Sequence, residues 1–184
     1  DMIINLIMKK RFNSYAFTTI SKNKKIIIPD DILTNFVELR ADYKVKGDLK
    51  EIVKTDILKN SINNNVDIKF RRFPTMLLWA DIAEKYESLT VNKPIVFKNY
   101  LAGGLTKNIF YNKIKYSLPM VNLYKLLIKS KRYKSKIFRL KSIIFYYRYQ
   151  FHACGLNDFD IKLFSFLGFL LYLIDKIYFK IKFK

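Results

Sequence analysis

Short β-rich runs crowd the first hundred residues of this chain, and from about residue 116 helical periodicity replaces them. Strands first and helices after them point to part of an α/β domain followed by a helical tail. Residues 15–20 (YAFTTI) and 25–28 (KIII) read as strands of a hairpin joined by the polar turn SKNK. Pro29 with Asp30-Asp31 ends that hairpin and leads into a short helix over 32–40. A loop follows around Gly47, then a strand at 51–55, and Asp56 offers a carboxylate cap to the short helix ILKN. Residues 61–67 (SINNNVD) read as a polar loop. Met76, Trp79, Ala80 and Ala83 are spaced as one buried face of a helix that opens after Pro74. Residues 89–100 are extended, and Pro94 argues for an edge position or two short strands. Residues 102–108 (AGGLTKN) form a loop.

In the tail, Ser117 and Pro119 mark a helix start, and a second helix covers 134–152 with Gly155 at its end. Its Lys134, Lys136, Arg139, Lys141 and Arg148 surround apolar Ile137, Leu140, Ile144 and Tyr147. Asn157 or Asp158 caps a third helix. There the run LFSFLGFLLYLI (163–174) is twelve residues long, short of the roughly 20 needed to cross a bilayer. Lys176, Lys180, Lys182 and Lys184 then alternate with aromatics. Such a segment suits shallow insertion at an anionic membrane face, or else a buried helix with a basic end. No repeat of solenoid period is present.

A hydrophobic content of 51% with 16% aromatics excludes a disordered chain, and 184 residues suffice for one core. Residues 1–92 hold 16 bases against 12 acids, a balance of +4, and residues 93–184 hold 19 against 3, a balance of +16. The basic half therefore calls for an anionic partner, a membrane surface or nucleic acid. Compositional drift competes as a cause, because Lys, Asn, Ile, Tyr and Phe are the residues A/T-rich codons favour. The single cysteine, Cys154, cannot pair within the chain, and with the single histidine, His152, it cannot build a Cys/His zinc site. Both read as ordinary residues near a helix end. No signal peptide is visible after Asp1, and the expectation is a start inside a longer reading frame.

Two stretches, VKGDLKEIVKTDILKN (45–60) and RRFPTMLLWADIAEKYESLTVNKPIVFKNYLAGGLTKN (71–108), resemble the second half of bacterial family 2 glycosyltransferases. The matching residues are Gly47-Asp48, Glu51, Thr55, Leu58-Lys59, Pro74, Trp79, Ile82-Ala83, Lys85-Tyr86, Asn92, Tyr100 and Leu105-Thr106-Lys107-Asn108. The likeness runs from about residue 15 to 155 and is densest over 45–108. It implies a GT-A-like, Rossmann-like α/β fold with a mixed sheet and flanking helices. It also implies transfer of a sugar from a nucleotide-sugar to a glycan or lipid-linked acceptor in surface polysaccharide synthesis. In the intact family protein a divalent metal, Mg or Mn, offsets the leaving diphosphate, and a carboxylate base takes the acceptor proton.

This sequence departs from that pattern in two places. It contains no strand-led V-D-D-G-S-like or D-x-D metal segment, so no metal is expected on this fragment and no transfer by it alone. Thr75 stands where the family usually has a glutamate, and a threonine hydroxyl is no general base near neutral pH. Thr75 is thus a vacated catalytic position, an ordinary helix cap, or both; Asp48 and Asp81 are the next candidate bases. Substrate-side candidates are Gly47, Asp48, Trp79, Gly104, Thr106 and Lys107. Each has a plainer alternative: a turn for Gly47-Asp48, core packing for Trp79, a bare loop for Gly103-Gly104. Arg71-Arg72 is a solvated edge or an acceptor-phosphate contact. The expected organisation is a glycosyltransferase half-domain over 1–115, a helical extension over 116–155, and an apolar, basic tail over 156–184. The expected location is cytoplasmic and peripheral at an inner membrane face. The rival class is a basic RNA-binding protein of the organellar ribosomal type, and a third is a small membrane-surface protein that kept the fold and lost the activity.

Overall fold

One strand, β1 (Ser14–Ser21), organises the first half of the chain in this computed structural model, which describes residues 12–21, 24–66, 74–98, 109–155 and 163–182. Its YAFTTI core does not alternate apolar with polar because both its faces are covered. Tyr15 and Phe17 point to one side, where they cluster with Leu89 and Val91. Ala16 points to the other, into a cluster with Ile26, Ile28, Leu39, Val45 and Leu49. The two faces of one strand thus hold two cores.

Around β1 the sheet is mixed and five-stranded. The hairpin partner β2 (Lys24–Lys25) pairs antiparallel with its end, Ile20 opposite Lys25. On the same edge β4 (Lys50–Val53) pairs antiparallel with its start, Ser14 opposite Val53. The other edge is taken by β5 (Ser88–Lys98), parallel to β1, and β5 in turn pairs antiparallel with β3 (Leu33–Thr34). Pro94 therefore lies on an interior strand, not an edge, and β5 is one strand rather than two. The ladder steps from Phe17 opposite Val91 to Thr18 opposite Pro94, then to Thr19 opposite Val96. The proline occupies a bulge, where a missing N–H costs the ladder least.

Three helices flank the sheet. Helix α1 (Phe36–Ala41) starts later than residue 32 because Leu33 and Thr34 are spent on β5. Asn35 caps it by accepting from the Glu38 amide at 2.9 Å, and the Glu38 carboxylate accepts from Thr34 Oγ1 at 2.7 Å. Helix α2 (Thr55–Asn65) overturns the expected loop at 61–65 and draws Asp56 inside the first turn. Tertiary contact outweighs the poor propensity of SINNN: Ser61 is buried, and its hydroxyl donates to the Leu78 carbonyl at 3.2 Å. Helix α3 (Thr75–Lys85) buries Leu77, Ala80, Ile82 and Ala83. Met76 and Trp79 are only half-buried, so the inward face is turned toward Leu77 from the one expected.

The second half is helical: α4 (Ile109–Lys115), α5 (Ser117–Lys129), α6 (Lys136–Cys154) and α7 (Leu163–Lys182). Ser135 caps α6, accepting from the Phe138 amide at 3.2 Å, and Gly155 closes it at φ 74°. Ile137 and Leu140 are exposed, and Ser142, Tyr149 and Phe151 are the buried residues of α6. The expectation of an α/β fold with a mixed sheet, flanking helices and a helical C-terminal end holds.

The chain divides into two compact units. The sheet unit comprises 1–65, 78–102 and 131–134, and the helical unit comprises 66–77, 103–130 and 135–184. Residues 131–134 are bound to the sheet unit by polar contacts. Asn35 Nδ2 donates to the Arg132 carbonyl at 3.1 Å, Arg132 Nε donates to the Ala83 carbonyl at 2.9 Å, and the Lys134 amide donates to Asp42 Oδ2 at 2.8 Å.

Candidate functional site

In the sheet unit the first candidate pair, Gly47-Asp48, forms a braced turn. Gly47 has φ +97°, and a Cβ there would stand 2.7 Å from Ile26 Cδ1, so the position needs glycine twice over. Arg40 Nη1 donates to the Val45 carbonyl at 3.0 Å and to the Gly47 carbonyl at 2.6 Å. Thr19 Oγ1 donates to the Asp48 carbonyl at 2.7 Å. Burial lowers the Arg40 pKa, and the nearby Glu51 and Asp48 carboxylates work against that shift. The backbone of the turn is thereby fixed, while Gly47 and Asp48 stay exposed.

Asn92, another residue of the resemblance, ties β5 to the segment before β3. Its amide donates to Asp30 Oδ1 at 2.8 Å, and its Oδ1 accepts from the Ile28 amide at 3.4 Å.

Thr75 is the first residue of α3 and is exposed. It lies inside the helix rather than capping it; Pro74 precedes it, and the Pro74 carbonyl accepts from the Leu77 amide at 2.9 Å. No acidic residue stands in that first turn. Trp79 is neither a core residue nor a fully open platform but half-buried, and so is Asp81. Gly104, Thr106 and Lys107, with Gly103, Arg71 and Arg72, lie outside the described residues.

The helical unit holds a constellation that sequence reasoning missed. Asp175 of α7 is 2% exposed. It accepts from Arg148 Nε at 2.8 Å and from Arg148 Nη2 at 2.6 Å, and His152 Nε2 lies 2.9 Å from its Oδ2. Burial by itself would raise the Asp175 pKa, but the hydrogen bonds from His152 and Arg148 outweigh it and the carboxyl ends up below its ordinary value. The same pairing holds the Arg148 pKa up against burial. Aromatic rings enclose the pair. The guanidinium carbon lies 5.1 Å from the Phe110 ring centroid and 5.6 Å from that of Tyr149, and the His152 ring meets Tyr172 at 4.7 Å. The signal was present in the sequence: Arg148 and His152 share a helix face at i, i+4, and Asp175 is the one acid between Leu163 and Lys184, directly after the apolar run.

Gly168 makes that packing possible. A Cβ on it would stand 2.6 Å from Tyr147 Cβ and 2.9 Å from both the Arg148 nitrogen and the Ile144 oxygen. Helices α6 and α7 therefore cross in near backbone contact. With Gly168, Ser165 and Asp175 turned inward, the large apolar residues at the intervening positions of α7 are left outside, Ile174 59% and Ile177 61% exposed. Among the described residues no helix is long and apolar enough to cross a membrane.

Among the described residues no group of His, Cys, Asp and Glu could hold an ion, and Asp175 is already engaged by two cationic or polar donors. Against the expectation of none, one D-x-D spacing does occur, Asp158-Phe159-Asp160, and it lies outside the described residues. Cys154 is an exposed free thiol. No protein-family model, no curated protein and no solved structure matches the chain.

Proposed function

We propose that this chain is the C-terminal portion of a GT-A-like glycosyltransferase, moving a sugar from a nucleotide-sugar to a glycan or lipid-linked acceptor at the cytoplasmic face of a membrane. The observation that carries the proposal is the ordered likeness of residues 45–108 to that family. It is supported by the way Gly47-Asp48, Trp79 and Asn92, from successive pieces of the likeness, fall within one mixed α/β unit. The turn at Gly47-Asp48 is fixed in place and exposed, as a ligand contact there would require. The donor nucleotide and its metal would be held by a partner half, with the metal offsetting diphosphate charge there. The acceptor side belongs to this chain, and Thr75 opens α3 where a glutamate would be both exposed and favoured by the helix dipole.

The rival RNA-binding reading has less support. The aromatics of the 137–152 stretch stack on one another and on their neighbours: Tyr124 lies 5.5 Å from Phe145 and 5.6 Å from Tyr149, and Phe151 lies 5.7 Å from Phe169. They are occupied as packing, not offered as platforms for bases.

The test joins the chain to an intact donor half and follows sugar release from labelled nucleotide-sugar with and without a soluble acceptor. The natural chain should turn over slowly, and Thr75→Glu should raise the acceptor-dependent rate by roughly 10²–10⁴-fold, the usual contribution of a placed acid–base group. Equal and robust turnover by both forms would move the base to Asp48 or Asp81. No turnover by either would remove the transferase reading.

A further inference from the structure

We infer that α7 lies flat on an anionic lipid bilayer and enters it through the stripe Leu163, Phe166, Leu170, Leu173, Ile174 and Ile177. This deepens the membrane placement above by naming the surface and its lipid.

At 3.6 residues per turn those six positions fall within an arc of about 100° on one side of the helix. All six are exposed. The opposite side holds Ser165, Gly168 and Asp175, all buried. An ordinary surface helix sends its apolar face inward and its charge outward. Here the helix has an apolar stripe outside and its one carboxylate inside, where Arg148 and His152 satisfy it. The inner side also keeps apolar packing, Phe169 and Tyr172 against Phe151, so the outer stripe is surplus apolar surface that water alone does not reward.

Charge selects the occupant. With Asp175 withdrawn, the outer side of α7 carries no acid to repel a phosphate headgroup. Lys176 and Lys180 are exposed beside the stripe. The Lys176 ammonium rests 5.5 Å from the Tyr172 ring centroid, an arrangement suited to the level of the headgroups. Only 3 acids face 19 bases across residues 93–184, so the long-range field favours the same partner. A helix of 20 residues spans about 30 Å lengthwise and could in principle cross, but α7 is too interrupted by charge to do so. Lying in the interface, it buries the stripe among acyl chains and keeps its lysines in the headgroup layer.

The full chain is floated with vesicles of phosphatidylcholine alone, and with vesicles containing phosphatidylglycerol. The natural chain should float strongly with the anionic vesicles and weakly with the neutral ones. The double substitution Ile174→Glu, Ile177→Glu should lower partitioning by at least about tenfold, since each exposed isoleucine withdrawn from water contributes near that factor. Circular dichroism should be unchanged, because neither side chain is buried. Lys176→Gln with Lys180→Gln should cost about fivefold per lysine, on anionic vesicles only, and leaves the stripe intact. Ile27→Glu, an exposed apolar residue of the sheet unit, should change nothing. The inference falls if the natural chain ignores anionic vesicles, or if the double variant and the lysine variant both float as it does. It also falls if sedimentation shows a dimer that Ile174→Glu dissociates while vesicles go unbound, since a second copy would then own the stripe. Flotation needs neither donor nor acceptor, so its failure is separate from failure of the sugar-transfer assay.

Discussion

The sheet unit and the helical unit solve the placement of charge in opposite ways. In the sheet unit the buried side chains among the described residues are uncharged, apolar clusters on both faces of β1 with hydroxyls such as Thr18 and Thr90 among them, and charged side chains brace the backbone at the rim, as Arg40 does at the Gly47 carbonyl and Asp30 at the Asn92 backbone amide. In the helical unit an ionised cluster sits under the aromatics, and large aliphatic residues face outward from α7. The first arrangement is what water selects. The second leaves apolar surface that only a non-aqueous neighbour rewards. Single exposed apolar residues occur in both units, Ile27, Phe97 and Ile137 among them, and what sets α7 apart is that six of them line one side of it.

The sharpest way to break the comparison is to remove one charge from the buried cluster. Arg148→Ala strands Asp175 without its principal donor and should destabilise the helical unit by about 3–5 kcal/mol in a denaturant melt. A loss below about 1 kcal/mol would mean that Asp175 reaches water and that the interior is not inverted. Next comes the crossing point. Gly168→Val drives side-chain carbon into Tyr147 and the α6 backbone, and should cost about 1–3 kcal/mol by the same measurement. Gly155 has nothing near its absent Cβ, but its positive φ would strain any side chain placed there. The gentlest probe is acid. Because the Asp175 pKa is lowered on folding, its contribution is whole above the ordinary carboxylate value of about 4 and fades as pH falls below it toward the folded value. Helical content should therefore weaken on descent below pH 4; a flat signal down to the folded pKa would separate Asp175 from the stability of the unit.

Much of the fold was legible because local chemistry agreed with tertiary structure. The polar SKNK stretch marks a hairpin, although its second strand is Lys24–Lys25 and not 25–28, and Ser135 with Gly155 frames α6 as capping residues should. The misses share one cause, tertiary contacts that override local signals. SINNN is helical because Ser61 is held against α3, and Pro94 is interior because a bulge absorbs it. Trp79 looked like core because periodicity was counted from Met76, whereas the small residues Ala80 and Ala83 with Leu77 set the inward line. In the candidate site, Gly47-Asp48 and Thr75 came from the likeness alone. The Asp175 cluster escaped because its members lie 27 residues apart and pair only once α6 and α7 cross.

The short return of residues 131–134 to the sheet unit bears on how such a protein could be cut or inherited. A chain ending at Lys134 would keep all three pieces of the sheet unit. It would also keep α5, with Met120, Leu123 and Leu127 deprived of the helix they pack beside. A chain beginning after residue 102 would carry the helical unit without residues 66–77. No single cut in this sequence separates the two units, because their pieces alternate along the chain.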